Sequence, residues 1–129
     1  MIHISTKQKE FLLEPPWALY IESYIIDFLN KNKIDDKATI TIDRHVLPAF
    51  YDMISEALSD LLSMNYSEPS AKELQKYPTR YEKIYLNNKI FRVNYRMSIN
   101  GRLAYALSCL MKFIEHAEVQ SFDIQIVFN

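Results

Sequence analysis

The sequence predicts an α+β fold: a mixed sheet of four or five strands with about three helices packed on it, within a single domain covering residues 1–129. Three observations carry this. Between Ile99 and Ala117, apolar residues fall at Leu103, Ala106, Leu107, Leu110, Phe113, Ile114 and Ala117, the repeat of one helical face. Ala38–Asp43 and Ser121–Phe128 instead alternate apolar and polar residues, the period of a half-buried strand. Helical and extended segments are interspersed along the chain, in the order β-α-β-α-(α)-β-β-α-β, so helices and sheet are expected to share one core.

In chain order, Met1–Thr6 alternates at Ile2 and Ile4 and reads as a short strand, while Lys7–Glu14 shows no clear period. Pro15 and Pro16 then mark a boundary, because proline is accepted in the first turn of a helix and disfavoured inside one. A helix is expected over Pro16–Asn32, with Trp17, Ile21, Tyr24, Ile25 and Phe28 on one face. Leu19 and Ile26 lie one heptad apart on the opposite face. They are either covered by a loop or the N-terminal arm, or form a partner or homodimer surface. Lys33–Lys37 is a polar turn, and Ala38–Asp43 is a strand with Ala38, Ile40 and Ile42 inward.

A second helix is expected over Leu47–Met64, with Phe50, Ile54, Ala57, Leu58 and Leu61 as its core face. Asn65–Pro78 is the longest polar connection, interrupted by a short helix over Pro69–Lys76. Tyr81–Leu86 and Lys89–Met97 form a β-hairpin, because Asn87-Asn88 between them tolerates the left-handed conformations of a tight turn. Asn100 is the expected N-cap of the central helix Ile99–Ala117, and Ser121–Phe128 closes the chain as a strand.

Composition excludes several functions. The single glycine, Gly101, cannot build a Walker loop or a dinucleotide fingerprint, both of which need several glycines where backbone approaches phosphate. The lone Cys109 allows no internal disulfide and sits in the most apolar helix, where a buried thiol is expected. No apolar run approaches a membrane span, and the N-terminus lacks the apolar stretch of a signal peptide, so no membrane association and a cytoplasmic location are expected. Asp43 and His45 are spaced to point the same way from a strand end, a pattern shared by metal or acid–base pairs and ordinary strand termini. Cys109 and His116 lie seven residues apart on one helix, roughly 10 Å along its axis, too far for a thiolate–imidazole pair. No catalytic constellation, metal site or cofactor is expected.

Charge is the uneven quantity. The net charge of −1 conceals eleven acidic against four basic residues from Glu10 to Glu68, and nine basic against two acidic from Lys72 to Lys112. In the acidic half, Asp52, Glu56 and Asp60 follow one another at i, i+4 and i+8 along the second helix, flanked by Ser55 and Ser59. This ridge is either a plain solvated face or an anionic surface for a cationic groove, such as the nucleic-acid site of a nuclease. In the basic half, Lys83, Lys89, Arg92 and Arg96 are interleaved with aromatic residues on the hairpin, which is either a plain solvated face, a surface for an acidic protein, or a pattern that can hold single-stranded nucleic acid.

The expected function is therefore a small cytosolic inhibitor that binds a protein, most concretely a bacterial toxin-immunity or antitoxin-like protein occluding a cationic site on its cognate toxin nuclease. The alternatives are a nucleic-acid-associated module using the hairpin Tyr81–Arg96, and a phage-encoded inhibitor of a host defence protein.

Overall fold

The computed structural model describes residues 1–15, 17–35 and 37–129. It is an α+β fold, with four helices and six strands in two antiparallel sheets among the described residues. The chain divides into two compact units, Met1–Ile54 with Leu110–Asn129, and Ser55–Cys109.

The first unit is built on a four-stranded sheet. Its strands are β1 (Ile2–Ser5), β2 (Glu10–Leu13), β3 (Ile40–Ile42) and β6 (Ile124–Phe128), in the spatial order β2-β1-β6-β3. Every pairing is antiparallel, so the sheet is not mixed as expected. Strand β6 lies between β1 and β3 antiparallel to both, and β2, which carries no clear sequence period, is antiparallel to β1 through a hairpin. Thr6 makes that turn, its Oγ1 accepting the backbone N–H of Gln8 at 3.2 Å and of Lys9 at 3.1 Å. Alternation puts Ile2, Ile4, Ile40, Ile42, Ile124 and Ile126 in the core, while Thr41 and Gln125 face outward.

Helix α1 (Trp17–Lys31) buries Ala18, Ile21, Ile25, Phe28 and Leu29. Its expected start at Pro16, and the Asp36 position of the following polar turn, lie outside the described residues. The Phe28 ring packs on Phe50 with centroids 5.3 Å apart. Ala38 is exposed and precedes β3, because only Ile40–Ile42 pairs with β6.

Helices α2 (Leu47–Asn65) and α4 (Ile99–Gln120) each contribute residues to both units. The second unit adds helix α3 (Ala71–Lys76), a 3₁₀ turn at Pro78–Arg80, and the hairpin of β4 (Tyr81–Leu86) and β5 (Lys89–Asn94). Asn87 and Asn88 have φ of 51° and 60°, as a tight hairpin turn requires. The hairpin is a sheet of its own. The strand expected to run to Met97 stops at Asn94, where the Asn94 Oδ1 accepts the Met97 N–H at 2.9 Å and turns the chain toward α4.

Ser98, not Asn100, caps α4: its hydroxyl accepts the Gly101 N–H at 3.1 Å and its carbonyl accepts the Arg102 N–H at 2.9 Å. Along α4, Leu103, Leu107, Leu110, Phe113, Ile114 and Ala117 are buried as the periodicity requires, whereas Ala106 is half-buried. Cys109 is half-buried as well, beside Tyr105, rather than fully buried. The exits of α1 and α4 lack glycine. Lys33 (φ 55°) and Ser121 (φ 58°) take the left-handed position after α1 and α4, and the Ile34 and Phe122 N–H groups reach back to the carbonyls of Leu29 and Ala117.

Candidate functional site

The acidic series lies on α2. Asp52 and Glu56 are exposed, while Asp60, Ser55 and Ser59 are half-buried. Asp52 belongs to the first unit and the other four residues to the second. Asp60 has a partner, and its carbonyl accepts the Ser63 hydroxyl at 3.0 Å. In the first unit, the Tyr51 hydroxyl beside Asp52 donates to Glu115 Oε1 at 2.9 Å. Burial, that hydrogen bond and the charges of Glu115, Glu118 and Asp52 push the Tyr51 hydroxyl up to about 12. Beside the Asp52 end of the ridge, Tyr51 thus feels two further carboxylates, Glu115 and Glu118, that the periodicity of α2 alone does not reveal.

The basic residues of the hairpin do not act as one group. Lys83 pairs with Arg92 across the two strands and Tyr85 with Ile90, so these four share one face. Tyr85 is 69% and Ile90 45% exposed. Lys89 pairs with Leu86, on the opposite face. Arg96 lies beyond β5, where its Nε donates to the Tyr95 hydroxyl at 3.1 Å. Arg102 donates to the Tyr95 and Arg96 carbonyls at 3.0 and 2.7 Å and so fastens the passage from β5 into α4.

On α1, Leu19 is 68% and Ile26 38% exposed, so neither is covered in the described structure. Asp43 closes a turn ahead of α2: its Oδ1 accepts the His45 backbone N–H at 2.8 Å, and the His45 imidazole makes no hydrogen bond among the described residues. No group of three or more His, Cys, Asp or Glu among the described residues is arranged to hold a metal ion.

Sequence reasoning missed a cavity of about 510 Å³ in the second unit. Its apolar lining comes from Leu61, Leu62, Val93 and Ala104, and its polar lining includes Tyr66, Glu68, Glu73, Tyr81, Arg92 and Asn94. The Tyr66 hydroxyl donates to Glu68 Oε2 at 2.5 Å and accepts the Arg92 backbone N–H at 3.1 Å. The Tyr66 ring also packs edge-on against Phe91, with centroids 5.0 Å apart. Arg92 reaches Glu68 Oε1 at 3.5 Å. The Tyr81 hydroxyl donates to Glu73 Oε2 at 2.7 Å.

Both tyrosine hydroxyls are held above their ordinary value, Tyr66 first by burial and Tyr81 first by its bond to Glu73. In the sequence, Tyr66-x-Glu68 and the distant Tyr81 and Arg92 fall in a connection and a hairpin, with no shared period to join them. A smaller cleft of about 370 Å³ in the first unit has Lys7, Phe122 and Asp123 in its lining, with Lys7 Nζ 4.6 Å from the Phe122 ring centre.

Compared with known proteins, the chain matches no family model, no curated protein and no solved structure.

Proposed function

We propose that this chain is a small cytosolic inhibitor that works by binding a protein, in its most concrete form an immunity protein covering the cationic site of a cognate toxin nuclease. The observation that carries this reading is the charge of α2. Its 19 residues hold three carboxylates, Asp52, Glu56 and Asp60, and no Lys, Arg or His. Like charges at i, i+4 destabilise a helix by about 0.2–0.5 kcal/mol per pair. Opposite charges at that spacing would relieve the repulsion, and α2 carries none. A helix that meets a cationic groove keeps the carboxylates, because they stand where phosphates would lie and steer the encounter. The carboxylates of Glu115 and Glu118 around Tyr51 add to the same sign of field near Asp52. No helix among the described residues is long and apolar enough to cross a membrane. A phage-encoded inhibitor of a host defence protein would present the same surface.

One observation favours a second reading. Lys83 and Arg92 stand directly opposite each other on the hairpin, beside exposed Tyr85. Cross-strand like charges are destabilising, and cations next to an exposed ring suit single-stranded nucleic acid.

The test is coexpression with the product of the adjacent reading frame, followed by calorimetry of the purified pair. The reading expects that product to be toxic alone, to be neutralised by this chain, and to bind at least about tenfold more weakly to the Asp52→Asn, Glu56→Gln, Asp60→Asn triple variant. Unchanged affinity of the variant sinks the ridge as the binding surface. RNA retained on a filter by the wild type and lost with Lys83→Gln and Arg92→Gln establishes the second reading instead.

A further inference from the structure

The second-unit cavity carries an inference independent of the reading above. At about 510 Å³ it falls within the range of small-molecule sites, roughly 300–1,000 Å³. Its polar groups are unevenly used. The Arg92 side chain is only 33% exposed, yet its guanidinium makes a single hydrogen bond among the described residues, the 3.5 Å contact to Glu68. A guanidinium has five donors in a planar fork that matches a carboxylate. Asn94 Nδ2, in the same lining, also has no acceptor among the described residues. Glu73 spends Oε2 on the Tyr81 hydroxyl and leaves Oε1 without a partner.

The cavity thus offers unspent donors around a cation and an unspent acceptor on a carboxylate. A simple anion would meet the charges of Glu68 and Glu73, and a simple cation would meet Arg92. A molecule with both signs meets neither penalty. Leu61, Leu62 and Val93 add an apolar wall for a side chain. We infer that this cavity binds a free α-amino acid with an apolar side chain, its carboxylate on Arg92 and Asn94 and its ammonium group on Glu73.

The test is titration calorimetry of the full chain with L-leucine, with 3-methylbutylamine (leucine without its carboxylate) and with 4-methylpentanoate (leucine without its ammonium group). Leucine is expected to bind saturably, and each analogue at least about tenfold more weakly. Arg92→Gln should erase the advantage of leucine over the amine, and Glu73→Gln its advantage over the acid. Lys72→Gln, on α3 but outside the cavity lining, should bind leucine as the wild type does. Glu73 is exposed, so its variant keeps the experiment decisive even if Arg92→Gln fails to fold. No saturable leucine binding at millimolar concentration overturns the inference. So does 4-methylpentanoate binding as tightly as leucine, or a natively melting Glu73→Gln variant that retains the wild-type preference for leucine over the acid.

Discussion

Gly101 shows how much one residue is constrained by its neighbours. It stands in the first turn of α4, where a Cβ would run into the Asn94 carbonyl, 2.7 Å from its carbon and closer still to its oxygen. Alanine in a helix gains about 1 kcal/mol over glycine in propensity. Overlap with a backbone carbonyl, which cannot swing aside, is worth about 1–3 kcal/mol in the other direction. Gly101→Ala is therefore expected to lower stability, read as a lower midpoint in urea unfolding. Tyr51 makes a second prediction at this scale. Its folded value of about 12 lies above the unfolded value of 10.0. Its stabilising effect is thus complete below pH 10 and is lost as pH rises from 10 to 12. Tyr51→Phe removes that titration, so the stability gap between wild type and variant should narrow across this alkaline window in pH-dependent unfolding.

At the scale of elements, sequence period was a good guide wherever an element buries one face. The hairpin β4–β5 follows from β-branched and aromatic residues around Asn87-Asn88, and both asparagines do take positive φ. For an ordinary L-residue that conformation costs roughly 1–2 kcal/mol. Replacing both asparagines by alanine should destabilise the chain by about 1–3 kcal/mol, measured by thermal or urea unfolding. Elements set by capping were harder to read. Strand β2 depends on the Thr6 turn and on partners at β1, so its own residues show no alternation. Helix α4 starts at Ile99 as its period requires, but its N-cap is Ser98, two residues before Asn100, because a serine and an asparagine both suit an N-cap and only the bonds to Gly101 and Arg102 choose between them. The exits of α1 and α4 were obscured for a related reason. Lysine and serine occupy positions where glycine would have announced the stop.

Over the whole molecule, the net charge of −1 divides unequally between the two compact units. The residues of the first unit hold seven basic and eleven acidic side chains, and those of the second hold eight basic and five acidic. The acidic face of α2 is set by its own helix and not by that division, since Glu56 and Asp60 lie in the net-basic unit; on the proposed reading, association of a cationic partner with it is expected to slow by about tenfold or more as salt rises from low to several-hundred-millimolar concentration, measured by stopped-flow mixing. A salt-independent rate would point to an uncharged surface. The candidate surfaces were unequally legible. The ridge of α2 follows from helical spacing alone, since residues four apart share a face whatever surrounds them. The cavity joins Tyr66, Glu68, Glu73, Tyr81 and Arg92 across a connection, a short helix and two strands, and no local pattern records such a meeting. By itself the sequence determined the α+β class, the core faces of the helices and the hairpin turn, because periodicity and turn chemistry act between near neighbours in the chain. Only the tertiary structure decided that the first sheet is antiparallel throughout, that Lys89 and Arg96 leave the face of Lys83 and Arg92, and that a half-buried arginine lines a cavity beside two glutamates. These depend on register and on contacts between residues far apart in sequence, which side-chain identity does not encode one position at a time.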